Sequence, residues 1–192
     1  MFSSRLWNLF IDSFPKMFIR GLTVTIPLTA IAFSLAMVIA VIVALVQFAN
    51  IKVLKQICRF YIWIFRGTPL LVQLFIVFFG LMNVGLVLEP FLAAVIVFAL
   101  NEGAYGAETV RASLESVPSG QLEAGQCAGL SYLQTIFRIV LPQAMRTAFP
   151  SLFNALISML KDTSLAATIT VTEMFKVSQQ IVARTYEPLL LY

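Results

Sequence analysis

The sequence predicts an all-α membrane protein, a bundle of several spanning helices, on three observations. Of its 192 residues 60% are hydrophobic and only 11% charged, more apolar surface than a soluble domain of this length can bury, so lipid must be part of its solvent. Residues 21–51 and 67–88 each contain no charged side chain, and each exceeds the ~20 residues that cross a hydrocarbon core. The basic residues Lys52, Lys55, Arg59 and Arg66 follow the first apolar run with no acid among them, the pattern of a cytoplasmic loop.

The same composition argues against other classes. Net charge is +4 without histidine, yet the basic residues are not interleaved with a stacking surface, so no nucleic-acid partner is expected. Cys58 and Cys127 lie far apart without ligand-like spacing, which argues against a metal site or redox pair. Scattered acids and the lack of histidine leave no convergent catalytic set. The first apolar run is too long for a signal peptide and lacks a small-residue cleavage site, so it reads as a retained span.

In order along the chain, Leu6, Phe10, Phe14, Met17 and Phe18 recur at helical spacing opposite Arg5, Asp12 and Lys16, which predicts an interfacial helix over residues 1–20. Residues 21–192 then form the transmembrane domain. Its first span covers about 22–48, with Pro27 near the start, where a missing donor costs least. The basic loop that follows is cytoplasmic, which puts the N-terminus outside. A second span covers 69–82, beginning as early as Phe60, and ends in a turn at 83–85. Pro90 opens a third, to about 110; a connector over about 111–143 returns to the cytoplasm, and a fourth span covers 144–160. Residues 161–187 are polar and threonine-rich. Glu187-Pro188 before Leu189, Leu190 and Leu191 predicts the first turn of a fifth hydrophobic helix, proline being well placed there; a four-span protein with a docked tail is the alternative.

The connector is punctuated like two short helices. After the break at Pro118-Ser119-Gly120, residues 121–128 fit one helix, ended by Gly129, where positive φ costs nothing. Ser131 with Gln134 fits a capping box for a second, which Leu141-Pro142 is expected to break. Two readings stand: a knob that docks in a partner's groove, the small Ala124, Gly125, Cys127 and Ala128 permitting close approach, or a capped surface loop.

Glu123-Ala124-Gly125, then Gly129, then Ile139, Leu141 and Pro142 resemble the coupling-loop motif of prokaryotic ABC importer permeases: Glu-Ala-Ala, three residues, Gly, nine residues, Ile, one residue, Leu-Pro. Gly125 replaces the second alanine, a change expected to weaken the helix by roughly 1 kcal/mol at most without altering its fit. Further stretches resemble the polar amino-acid branch of that family, the histidine, glutamine and cystine type. These are Arg66-Gly67-Thr68-Pro69-Leu70-Leu71-Val72-Gln73, Gly103-Ala104-Tyr105 with Ala107-Glu108, Gly120-Gln121, Leu141-Pro142-Gln143, and Lys161-Asp162-Thr163-Ser164-Leu165.

The resemblance implies the type I importer permease fold in the prokaryotic inner membrane, and a translocation pathway formed with a second permease, identical or homologous. It implies a cytoplasmic ABC ATPase dimer below and an extracytoplasmic amino-acid-binding protein above. No phosphate-cradling Gly-x-x-x-x-Gly-Lys-Ser/Thr is present, so this chain is expected to bind no cofactor, with ATP and magnesium held in the partner. Energy would arrive mechanically through the connector, with Glu123 as the charged contact and Gly129 as the corner.

Within the spans Glu102 stands out, because a helix-centre acid costs roughly 2.5 to 3.5 kcal/mol and needs a cavity or a cation. It would bind the substrate's ammonium or basic group; the alternatives are a structural pair with Arg111 or Lys161, or a protonated acid in the bundle. An ATP-independent carrier or channel using Glu102 as its ion site is the competing function, and the connector argues against it. Asn101 and Tyr105 flank Glu102, and Gln73 and Asn154 are further polar residues in apolar spans, as ligand contacts or interhelical glue. Lys161, Asp162, Thr163 and Ser164 border the path or cap a helix start, and Asp162 and Ser164 suit capping.

Overall fold

The computed structural model describes residues 4–49 and 51–192, and among these the regular elements are helical. In order they are α1 (Ser4–Arg20), α2 (Ile26–Phe48), α3 (Lys52–Gly67), α4 (Leu70–Phe75), α5 (Leu81–Asn83), α6 (Pro90–Glu115), α7 (Gly120–Cys127), α8 (Tyr132–Thr135), α9 (Leu141–Asp162), α10 (Met174–Thr185) and α11 (Pro188–Leu191). Single π-helical turns at Gly21–Thr25, Ile76–Gly80 and Ile136–Val140 join α1 to α2, α4 to α5 and α8 to α9. The first three residues of the segment expected over 1–20 lie outside the described residues.

Proline placement explains much of this. Pro27 and Pro142 each stand two residues beyond a π turn. A proline gives no N–H and its ring crowds the carbonyl one turn back, and a wider turn just upstream lets the helix continue. Pro142 therefore does not break the connector's second helix, as the sequence suggested; α8 passes through the π turn into α9. At Pro69 there is no such turn. Thr68 takes the extended conformation, φ −119° and ψ 142°, that a following proline favours, and the helix ends.

That ending corrects the span expected over 67–88. Phe60 belongs to α3, whereas Leu70–Asn83 is a separate helix about 21 Å long, short of a ~30 Å hydrocarbon core. Ser4–Phe48 and Pro90–Glu115 are long and apolar enough to cross by themselves, and Lys52–Gly67 with Leu70–Asn83 passes only as a broken pair. The fourth span expected over 144–160 is present as the helix α9, which is long enough but not apolar enough to count among the helices that cross by themselves.

The chain divides into two compact units. The first comprises residues 1–32, 70–97 and 158–192. Here α1 lies against α10 and α11, with Ser13 buried. Trp7, Phe10, Phe14 and Phe18 form a ladder of rings 6.1, 5.7 and 5.7 Å apart that is exposed, an apolar outer surface suited to lipid. The stretch 161–187 is more ordered than its polarity suggests. A 3₁₀ helix, Thr163–Ile169, follows α9, and Thr170 turns at φ 71°. Asp162 makes no side-chain capping bond, contrary to expectation. Glu173 caps instead, accepting from the amides of Phe175 at 2.7 Å and Lys176 at 2.6 Å. Pro188 opens α11 at its first turn as expected.

The second unit comprises residues 33–69 and 98–157. Ala36, Ala40 and Ala44 form a fully buried stripe on α2, facing glycines of α6. A Cβ on Gly103 would stand 2.8 Å from Ile39 Cγ2, and one on Gly106 3.0 Å from Ala40 Cβ. Small residues let the two backbones approach closely, the packing mode available where lipid removes the hydrophobic drive between helices. Below this contact Ala44, Val110, Leu114, Ile136, Val140, Ala144, Ala148 and Leu152 form one buried cluster, which seats the connector on α2, α6 and α9.

Candidate functional site

The connector is a built object, assembled from local rules. Helix α7 ends in a Schellman motif: the Gly129 amide donates to the Gln126 carbonyl at 2.9 Å and the Leu130 amide to that of Gly125 at 3.0 Å. Gly129 supplies the left-handed residue, φ 78°, that this ending requires. Helix α8 begins with the expected capping box, Ser131 Oγ accepting from the Gln134 amide at 3.3 Å and Gln134 Oε1 from the Ser131 amide at 2.9 Å. Gln143 Nε2 donates to Gln121 Oε1 at 3.3 Å and to the Ile139 carbonyl at 3.0 Å, fastening the knob to the start of α9.

The motif residues separate into two sets. Glu123, Ala124, Gly129 and Pro142 are exposed. Gly125 is buried, and Leu141 packs half-buried against the hydrophobic cluster; Ile139 is also half-buried. Gly125 is required where it stands. A Cβ there would lie 2.4 Å from Thr135 Cγ2 and 2.6 Å from Thr135 Oγ1. The expectation that alanine and glycine fit equally at 125 is therefore corrected: Thr135, itself 1% exposed, occupies the volume of the missing methyl. Sequence reading missed Thr135 because its partner is ten positions away.

It also missed a charged assembly on the second unit. Glu108 accepts from Arg111 through Nη2 at 2.8 Å and Nε at 3.3 Å, and Arg111 Nη1 also reaches Glu115 at 2.7 Å. Arg66 of α3 approaches Glu108 to 4.0 Å, and Gln47 Nε2 of α2 donates to it at 3.5 Å. The Glu108, Arg111, Glu115 spacing of three and four along one helix was the available signal. Arg66 lies over the Tyr105 ring, 5.1 Å from its centroid. Two further bonds hold α3 on α6. Because Pro69 stops α3, its last carbonyls lack helical donors; Thr68 Oγ1 serves Ile64 at 2.8 Å and Asn101 Nδ2 serves Phe65 at 3.2 Å. Tyr61 donates to the Leu100 carbonyl.

The remaining polar residues singled out from sequence fall in both units. Glu102 is half-buried and Asn154 exposed, in the second; Gln73 is buried, in the first. Lys161, Thr163 and Ser164 come together in the first, lining a cleft of about 410 Å³ with Phe18, Leu22, Met174 and Glu173. Asp162 does not line it. Its walls are largely apolar, and the Met174 amide donates to Thr25 Oγ1 across it at 3.3 Å. Glu173 is 1% exposed; burial pushes its carboxyl above the ordinary range, against the pull of the Phe175 and Lys176 amides and the Lys176 charge. Its position before an apolar run at a helix start was the legible sign of a cap.

Comparison with known proteins joins these features. The L-cystine transport system permease of Bacillus subtilis is 45% identical over 184 residues, 96% of this chain and 79% of that one. The nopaline transport system permease of Agrobacterium fabrum is 37% identical, covering 94% and 79%. Among solved structures, an amino acid ABC transporter crystallised with histidines aligns at a TM-score of 0.84 and 33% identity, over 95% of this chain and 85% of that one. The inward-facing MetNI methionine ABC transporter shares the fold, at a TM-score of 0.71 and 18% identity. The family model described as the binding-protein-dependent transport system inner membrane component matches residues 36–188. This chain belongs to that family, the membrane-embedded permeases of ABC importers.

Proposed function

We propose that this permease carries amino acids inward and takes its power from a cytoplasmic ABC ATPase dimer that grips the connector. The observation that carries the reading is the connector itself: a knob closed by a Schellman ending, a capping box and the Gly125–Thr135 contact, with Glu123 and Ala124 exposed on its first helix. Relatives that transport cystine and nopaline support an amino-acid cargo. A second permease, identical or homologous, completes the pathway, and ATP with magnesium resides in the ATPase rather than here. The basic residues of 52–66, which the sequence suggested as a loop and which form helix α3, together with Arg138 and Arg146, support a cytoplasmic connector and an external N-terminus. In this reading Glu102 meets the substrate's ammonium or basic group, with Asn101, Tyr105, Gln73, Asn154, Lys161, Asp162, Thr163 and Ser164 as candidates along the path, and Glu123 makes the charged contact with the ATPase.

The deciding experiment reconstitutes the chain with its ATPase in liposomes and measures ATP hydrolysis with and without L-cystine-loaded binding protein. Stimulation in the wild type that Glu123→Ala and Gly129→Val both abolish is the expected result. An ATPase whose turnover ignores this chain would overturn the reading.

A further inference from the structure

Glu108 lies outside the connector and outside the candidate path, yet it joins three elements of the second unit. Its carboxylate meets Arg111 on its own helix at 2.8 Å, Arg66 at the end of α3 at 4.0 Å and Gln47 near the end of α2 at 3.5 Å. Gln47 is 6% exposed. The apolar cluster beside it, Ala44, Val110 and Leu114 against Ile136 and Val140, carries the connector. Ala44 and Gln47 are one turn apart on α2, and on α6 Glu108 stands two residues before Val110, with Arg111 between Val110 and Leu114. Apolar contacts of this kind resist separation but set no register, because dispersion and burial are non-directional. Groups drawn to one carboxylate do set it: the short Arg111 bonds fix the carboxylate on α6, and the Gln47 amide at 3.5 Å and the Arg66 charge at 4.0 Å then fix α2 and α3 relative to it. The helices that receive the connector's push are thus pinned to one another only one turn from where they receive it.

We infer that Glu108 is a positioning residue for energy coupling: it makes α2, α3 and α6 move as one body with the connector, so that the ATPase stroke reaches the spans instead of being lost as sliding between helices. This rests on the proposed ATP-driven import. Without the carboxylate, α2 would lose its Gln47 bond to α6, and α3 would keep the Asn101 and Tyr61 bonds and the Arg66 contact with the Tyr105 ring but lose the charge that fixes Arg66. The knob would still dock and ATP would still be hydrolysed, with less cargo moved per cycle.

The test uses the complete transporter, permease with ATPase and binding protein in proteoliposomes, and reads L-cystine taken up per ATP hydrolysed. Glu108→Gln is expected to lower that ratio at least about fivefold while basal hydrolysis and co-purification with the ATPase stay within about twofold. Arg66→Gln should move the ratio the same way, and the double variant should be no worse than Glu108→Gln alone, as for residues acting through one contact. A wild-type ratio in Glu108→Gln overturns the inference, as do parallel losses of uptake and hydrolysis at constant ratio, the mark of a merely structural ion pair. If Glu108→Gln fails to assemble, Arg66→Gln and Gln47→Leu, which leave the Arg111 pair intact, decide it: wild-type ratios in both overturn it. Wild-type protein that shows no ATP-dependent uptake at all refutes the importer reading instead, a distinguishable outcome.

Discussion

Replacing Gly125 with alanine places a methyl where Thr135 already is. The new carbon would lie 2.4 Å from Thr135 Cγ2, 2.6 Å from Oγ1 and 3.1 Å from Cβ, against about 3.5 to 4.0 Å for an unstrained carbon contact. Rotating Thr135 brings no relief, because two of its three Cβ substituents are already too close and its hydroxyl is tied to the Ser131 carbonyl at 3.1 Å. Helices α7 and α8 must therefore separate by about an ångström. Alanine favours the helix by roughly 1 kcal/mol over glycine, whereas overpacking costs about 1–3 kcal/mol, so a net loss of up to about 2 kcal/mol is expected. In hydrogen exchange on the purified permease, amides 126–130 should exchange faster, by up to about 30-fold, the factor that such a loss implies. The double variant Gly125→Ala with Thr135→Ala should recover most of the protection, because it removes the two closest atoms. Slower exchange in the single variant would mean that propensity alone governs position 125, and the close-packing argument would be wrong.

Two further outcomes follow from charged residues. Glu173 has its carboxyl raised by burial, so the folded state holds a proton that the unfolded chain releases; stability is therefore greater below the ordinary glutamate range and falls as pH rises through the folded value. Glu173→Gln should flatten this fall of the thermal midpoint with rising pH, and an unchanged pH profile would count against the assignment. Glu102→Gln should impair amino-acid uptake while leaving assembly with the ATPase intact; unchanged uptake kinetics would remove Glu102 from the substrate path.

The broad outline of the candidate site was written locally. Ser131 and Gln134 are three apart, Gly129 follows the last turn of α7, and Pro188 precedes three leucines; each pattern acts within one helical turn, where neighbours in sequence are neighbours in space. The π turns were not legible, because a proline interrupts a helix only if nothing upstream rearranges, and at Pro27 and Pro142 something does. At Pro69 nothing does, and the span drawn through it from composition was too long.

By itself, then, the sequence determined the solvent, the helical class, the connector's caps and corner, and the family motif, because hydropathy, capping and spacing are properties of adjacent residues. Only the tertiary structure decided that Gly125 must be glycine, that Asn101 serves the orphan Phe65 carbonyl, and that Glu108 gathers Gln47, Arg66 and Arg111. Most of these depend on partners ten to sixty-one positions away, whose proximity is set by the packing of small residues between helices and by no periodicity along the chain.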